Sequence, residues 1–293
     1  MKLARFRVGD GPIRLGRVEL TGDDPFVGEV VDLSGVPGLG VSMRRVIADL
    51  PELRDAIAAA DGERFPLAEV TLEAPIDDPQ KYLAIGMNYK EHAEEARAAG
   101  IPTPTNQLWF NKQVSCINAP FGDIEKPAVS DALDYEIELA VVIGARCRNV
   151  SREDAYSVIA GYMVANDVSV RDWLQKRSPT FTLGKSFDTH GPIGPWLTTA
   201  DEVADPQSLH MTLSVNGEVR QDWRTDDMIY DIAAQIAELT TVMTLMPGDI
   251  LATGTPAGIG APTGNFLKVG DVVRGEIEGL GVIENRVVAA PGA

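Results

Sequence analysis

Asp134-Tyr135-Glu136-Ile137-Glu138-Leu139-Ala140-Val141-Val142-Ile143 reads as a long strand whose two faces carry different messages. Strand alternation puts Tyr135, Ile137, Leu139, Val141 and Ile143 on one face and Glu136, Glu138, Ala140 and Val142 on the other. Beyond the glutamates the second face is apolar as well, so the strand is expected to be covered on both sides. Two like charges side by side on a covered face repel and lose solvation, which costs several kcal/mol if they stay unpaired. A divalent cation relieves both penalties, and an all-oxygen donor set favours magnesium, calcium or manganese over zinc. Two solvated glutamates at a strand end are the plainer alternative.

Working outward, Asp167 in Val164-Ala165-Asn166-Asp167-Val168 follows an apolar segment, as a third strand-end ligand would; a helix N-cap is its plainer reading. In Gly86-Met87-Asn88-Tyr89-Lys90-Glu91-His92-Ala93-Glu94-Glu95, the spacing of His92 and Glu95 puts both on one face of a helix. A carboxylate that holds an imidazole makes a general base able to activate water near neutral pH, although an exposed polar helix would look the same. Leu183-Gly184-Lys185-Ser186 offers a lysine among small residues, a possible anion contact. Leu251-Ala252-Thr253-Gly254-Thr255-Pro256-Ala257-Gly258-Ile259-Gly260 is a strand running into a Gly-rich loop whose amides can cradle a carboxylate, a tight turn being its plainer reading. It lacks a Gly-Lys-Ser/Thr ending, so it is not a phosphate-binding P-loop. His190 and His210 lack comparable neighbours and read as structural.

The 293 residues are 44% hydrophobic, enough to bury a substantial core. With 43 Asp and Glu against 26 Lys and Arg, the formal charge is -17, which makes nucleic acid and anionic membrane surfaces poor partners. An anionic ligand would therefore need a locally positive site. The two cysteines, Cys116 and Cys147, form no CxxC pair and suit a reducing compartment. The N-terminus has no signal-like apolar stretch, and no run approaches the ~20 apolar residues of a membrane span. A cytoplasmic location is expected.

Residues 3–33 read as a meander of short strands, followed by a helix from about Ser42 to Ala60 that Pro51 interrupts. A boundary near residue 75 divides a small N-terminal domain (1–75) from the remainder (76–293). In the latter, strands are expected at 82–86, 135–143, 250–253, 272–277 and 281–288, with a hairpin around Asn216-Gly217. Helices are expected at 90–99, at 228–243, and from a capping box at Ser151-Arg152-Glu153-Asp154 through about Met163. The whole is a β-rich α+β fold without a repeat.

The order of these segments is specific. Gly86-Met87-Asn88-Tyr89…His92…Glu95, Asp134-Tyr135-Glu136-Ile137-Glu138-Leu139, Asn166-Asp167-Val168-Ser169…Arg171-Asp172, Gly184-Lys185-Ser186-Phe187-Asp188-Thr189 and Thr253-Gly254-Thr255-Pro256 together resemble the fumarylacetoacetate hydrolase family, in its bacterial domain-containing form, over roughly residues 80–290. The resemblance implies a distorted β-roll catalytic domain with a small N-terminal α/β appendage, usually as a homodimer. It implies a metal, Mg2+ with Mn2+ or Ca2+ as alternatives, held by Glu136, Glu138 and Asp167. His92 and Glu95 become a dyad on a mobile lid that positions an attacking water. Lys185 is carried over as catalytic, and Arg171, Gly254, Thr255 and Lys112 as contacts to the substrate.

The implied chemistry is hydrolysis of a C–C bond in an acylpyruvate or other 1,3-diketo acid, the cation stabilising the enolate that leaves. Decarboxylation or tautomerisation of oxaloacetate, or isomerisation or hydration of a dienoate, would use the same electron sink. A non-catalytic binder of oxo acids is a further alternative, against which the His92–Glu95 pair argues. Two departures touch the substrate side. Gln175 is offset by one residue from the family's glutamine, about 100° around a helix, and the aromatic segment before Gly184-Lys185 is altered to Phe181-Thr182-Leu183.

Overall fold

The computed structural model describes residues 1–293 except Asp23, Ala99, Ile101 and Ala293; the side chains of Gln175 and Lys176 also lie outside the described set. The expected end of a helix at Ala99 and the side chain of Gln175 therefore fall outside it.

The N-terminal segment forms the expected antiparallel meander: β1 (Lys2–Val8), β2 (Arg14–Leu20) and β3 (Gly28–Asp32). The single helix expected from Ser42 is two, α1 (Met43–Ala48) and α2 (Leu50–Ala59). Ser42 caps α1 by accepting from the Arg45 amide, and the break falls at Asp49. Pro51 sits in the first turn of α2, where a missing N–H removes no helical hydrogen bond. β4 (Arg64–Pro66) and β5 (Val70–Glu73) follow.

The rest of the chain runs β6 (Tyr82–Gly86), α3 (Lys90–Ala98), β7 (Leu108–Lys112), β8 (Ile117–Asn118), β9 (Ile124–Lys126), β10 (Leu133–Asp134), β11 (Ile137–Ile143) and β12 (Ile159–Asn166). Then come β13 (Ser169–Val170), α4 (Arg171–Lys176), β14 (Gly191–Thr199), β15 (His210–Val215), β16 (Glu218–Arg224), α5 (Ile232–Val242), β17 (Ile250–Ala252), β18 (Val272–Ile277) and β19 (Gly281–Ala289). One twelve-stranded sheet runs β4-β3-β2-β1-β14-β12-β11-β17-β6-β7, with β5 beside β1 and β8 beside β14. It does not close into a barrel. A five-stranded sheet, β16-β15-β18-β19-β9, packs against it, and β10 pairs with β13. Through Leu3↔Leu197 the N-terminal meander is hydrogen-bonded directly into β14.

The helix expected from Ser151 through Met163 is absent. Ser151 does accept from the Asp154 amide (3.2 Å), but only a short 3-10 turn at Ala155–Val158 follows before the chain enters β12. Every residue of β12 is buried between β11 and β14, so its sequence lacks the polar alternation that identifies a strand. The expected coverage of β11 on both faces holds: all seven of its residues are buried. Ile137, Leu139, Val141 and Ile143 enter a core shared with α5 and the smaller sheet. Ala140 and Val142 enter a second core with Val46, Ile47 and Ile57 of the N-terminal helices. The N-terminal segment thus covers the face of β11 that, at its other end, carries Glu138.

Candidate active site

Glu136 lies just before β11, Glu138 within it, and Asp167 directly after β12. Because β11 and β12 pair with Ile137 opposite Asn166, their ends bring the three carboxylates together. The Glu136 amide donates to Asn166 Oδ1 (2.9 Å) and the Asp167 amide to the Glu136 carbonyl (2.8 Å), which fixes the backbone at both ligand positions. One carboxylate oxygen from each of Glu136, Glu138 and Asp167 lies within 4.8 Å of the others, and all three residues are buried.

Two of the three carry compensating charge. Lys185 Nζ bridges Glu136 Oε2 (2.6 Å) and Asp167 Oδ2 (2.7 Å), and Arg171 approaches Glu136 Oε1 to 2.6 Å. Burial pushes the Glu136 carboxyl up, but Lys185 and Arg171 more than offset this and hold its pKa down at about 2. Burial opposes the charge on Lys185 too, yet Asp167 and Glu136 raise its pKa. Glu138 differs. Among the described residues its one hydrogen bond comes from the Gly254 amide (2.8 Å), and none of their Lys or Arg side chains forms an ion pair with it. Burial, then the charges of Asp167 and Glu136, push its pKa well up. An all-oxygen cluster with one buried, uncompensated carboxylate fits a hard divalent cation.

Glu136 and Glu138 of the triad line a cavity of about 570 Å³ together with His92, Glu95, Arg171, Lys185 and Thr255, and Asp167 lies behind them. His92 Nδ1 lies 3.2 Å from Glu95 Oε2, the i, i+3 contact expected on α3. Thr255 Oγ1 accepts from the buried Gln221 amide (2.9 Å). Of the residues expected to meet a substrate, Lys112 and Gly254 do not line this cavity. Lys112 is buried behind the triad, where its ammonium meets Asp167 Oδ1 (2.6 Å), the His190 carbonyl (3.0 Å) and the Lys185 carbonyl. Its donors are used up, so it holds Asp167 in place. Gly254 turns its amide to Glu138. At its φ of 98° a Cβ would lie 2.8 Å from Asn88 Cβ, which leaves room only for glycine.

Three polar residues at the site went unassigned in the sequence. Asp134, fully buried, accepts from the amides of Tyr135 (2.9 Å), Gly260 (2.8 Å) and Ala261 (3.0 Å) and from Arg171 Nε (2.7 Å), aiming the guanidinium at Glu136. Gln221 accepts from the Ile137 amide (3.0 Å) while donating to Thr255 and the Pro256 carbonyl. Asn88 donates to the Thr253 and Tyr230 carbonyls and accepts from the Tyr230 amide. For Asp134 and Asn88 the available signal was a short polar side chain within a motif; Gln221 lies outside every motif and carried none. Of the residues read as structural, His190 is buried and donates to the Glu125 carbonyl, while His210 is exposed and paired with Asp222 at 2.6 Å.

Fold and site define a β-rich protein with a buried carboxylate triad able to hold a divalent ion beside a cavity for a small molecule. A sequence model of the fumarylacetoacetate (FAA) hydrolase C-terminal family matches residues 81–288. The chain belongs to the fumarylacetoacetate hydrolase family. It is 40% identical over 298 residues to a mitochondrial oxaloacetate tautomerase, fahd2, of Xenopus laevis, covering 98% of this chain and 90% of that one. Among solved structures it is similar to maleylpyruvate hydrolase from Sphingobium sp. SYK-6 in complex with manganese (II) ion and pyruvate. The TM-score is 0.82 and the identity 38%, covering 99% of this chain and 100% of that one. For 2-hydroxyhepta-2,4-diene-1,7-dioate isomerase from Mycobacterium marinum the TM-score is 0.79 and the identity 34%, covering 100% of both chains. The family is thus represented by a hydrolase, an isomerase and a tautomerase. No helix among the described residues is long and apolar enough to cross a membrane.

Proposed function

We propose that the protein is a divalent-metal-dependent hydrolase that cleaves the C–C bond of acylpyruvate-type 1,3-diketo acids, with Glu136, Glu138 and Asp167 as metal ligands. One observation carries this reading: Glu136 and Glu138, two members of a carboxylate triad fit for a cation, line the same cavity as a His–Glu pair fit to move a proton. When bound, magnesium or manganese supplies a Lewis acid for the oxygens of a 2-oxo acid. Glu95 accepts from His92 Nδ1, which leaves Nε2 free to take a proton from the attacking water. Lys185 and Arg171 keep Glu136 ionised, Lys112 orients Asp167, and Thr255 offers a hydroxyl to the substrate. Water adds to the distal carbonyl, the bond to C3 breaks, and the products are a carboxylic acid and pyruvate. A homodimer in a reducing cytoplasm belongs to the same proposal; the two buried free thiols agree with the compartment.

Keto–enol tautomerisation of oxaloacetate is the second reading, favoured by the identity to the frog tautomerase along nearly the whole chain. It needs proton transfer at C3 but no added water. The test is a substrate panel of acylpyruvates and oxaloacetate, with products identified, in Mg2+, in Mn2+ and in chelator. The expected result is metal-dependent release of pyruvate from an acylpyruvate. Accelerated oxaloacetate enol–keto exchange without any cleavage would replace the first reading by the second.

A further inference from the structure

The cavity lining combines two kinds of residue. One group is Glu136 and Glu138 with Lys185 and Arg171. The other is Leu108, Phe110, Leu174, Phe181, Ile259 and Phe266, and the two adjoin where Lys185 Nζ lies 5.2 Å from the centre of the Phe110 ring. Phe110 and Phe181 meet edge to face, ring centroids 5.7 Å apart at 82°. The turn that carries Phe181 also carries Lys185. The Phe181 amide donates to the Ser178 carbonyl (2.9 Å), and the Phe181 carbonyl accepts from the Lys185 amide (3.1 Å). Phe181 itself has φ 64°, left-handed backbone that a bulky residue adopts only when its surroundings impose it. Gly184 lets the same turn close onto Leu174, since a Cβ there would lie 2.5 Å from Leu174 Cδ2. Phe181 and the lysine are thus delivered by one tightly folded segment.

The positive charge in the lining is already engaged. Among the described lining residues the Lys and Arg are Lys185 and Arg171, and both are already bound to Asp134, Glu136 or Asp167. Glu95 and Asp172 add two further carboxylates to the lining. We infer that the site selects 2-oxo acids whose far end is uncharged and apolar, an aryl or alkyl group, over those carrying a second carboxylate there. This rests on the reading of the site as one for 2-oxo acids. A second carboxylate would exchange water for apolar side chains, find no free cation among the described lining residues, and share the cavity with carboxylates already present. An aryl or alkyl group would bury apolar surface against Phe110 and Phe181.

The test is calorimetry on the Mn2+-loaded protein with phenylpyruvate, 2-oxohexanoate and 2-oxoglutarate, the last two close in length and different in terminal charge. Phenylpyruvate and 2-oxohexanoate should bind roughly tenfold or more tightly than 2-oxoglutarate. Phe181→Ala should shrink that ratio, and Phe181→Arg should shift it toward 2-oxoglutarate. Equal or tighter binding of 2-oxoglutarate by the unaltered protein, with pyruvate binding intact, overturns the inference and leaves the proposed function standing. If none of the acids nor pyruvate binds, the proposed function fails and the inference falls with it.

Discussion

The carboxylate floor and the helix that carries His92 and Glu95 face the same cavity but are held in opposite ways. Glu136, Glu138 and Asp167 sit at the ends of two fully buried strands, and Lys185, Lys112, Arg171 and backbone amides tie their oxygens down. In α3 the buried residues are Ala93 and Ala96, side chains whose burial is worth of order 1 kcal/mol each. The helix is anchored at its start, where Tyr89 is buried and the Glu91 amide reaches Asp227 (3.3 Å). Charge-assisted contacts on strands give a preorganised binding floor. A short polar helix whose buried side chains are two alanines has little packing to hold it, a feature that suits a wall that opens. Under the proposed function, ligand capture and proton transfer fall to parts that are held differently.

The sharpest way to break that division is His92→Ala. Turnover of an acylpyruvate should fall roughly 10²–10⁴-fold while oxalate affinity by calorimetry stays close to wild type. A collapse of oxalate affinity in the same variant would mean that floor and wall are one unit.

On the floor itself, Asp134→Asn is the next largest effect. Each Asp134 oxygen accepts two donors, Oδ1 from Tyr135 and Gly260, Oδ2 from Ala261 and Arg171. An amide in either orientation sets its NH2 group against two of them. The expected cost is roughly 3–5 kcal/mol in denaturant unfolding, the range for breaking a buried charge pair. A loss below about 1 kcal/mol would show that Arg171 is held by Glu136 alone.

The smallest effect sharpens the comparison through pH. Burial pushes the His190 imidazole down to about 4 from its ordinary 6.5, so the folded protein holds it neutral while the unfolded chain takes up a proton. That contribution to stability is complete above about pH 6.5 and is lost as pH falls toward 4, about 2 kcal/mol by pH 5. His190→Gln removes the titration, so the stability gap between wild type and variant should narrow on acidification from pH 7.5 to 5. A constant gap across that range would show that His190 does not titrate differently in the two states.

Sequence patterning reached different depths in these regions. The strand at 137–143 and its glutamates were legible because alternation leaves a charge only where something must answer it. The i, i+3 spacing of His92 and Glu95 was legible as well. β12 was misread because burial on both faces removes alternation, and a capping-box sequence at Ser151–Asp154 offered a helix start that the chain uses for a single turn. The expected helix from Met228 begins instead at Ile232, because Asp231 caps it (Ala234 amide to Oδ1, 2.7 Å) while Tyr230 is held by Asn88. The directions of Lys112 and Gly254, behind the floor and not into the cavity, depend on partners 55 and 116 residues away, which no local pattern contains.

The central claim, that a divalent ion sits on Glu136, Glu138 and Asp167, is tested most directly by Mn2+ calorimetry on wild type beside Glu138→Gln. Glu138 is the carboxylate without a cationic partner, and its substitution removes charge while nearly preserving shape. Wild type should bind one Mn2+ per chain, and Glu138→Gln should bind at least roughly a hundredfold more weakly with its fold intact by circular dichroism. Equal Mn2+ affinity in the two proteins would contradict the assignment.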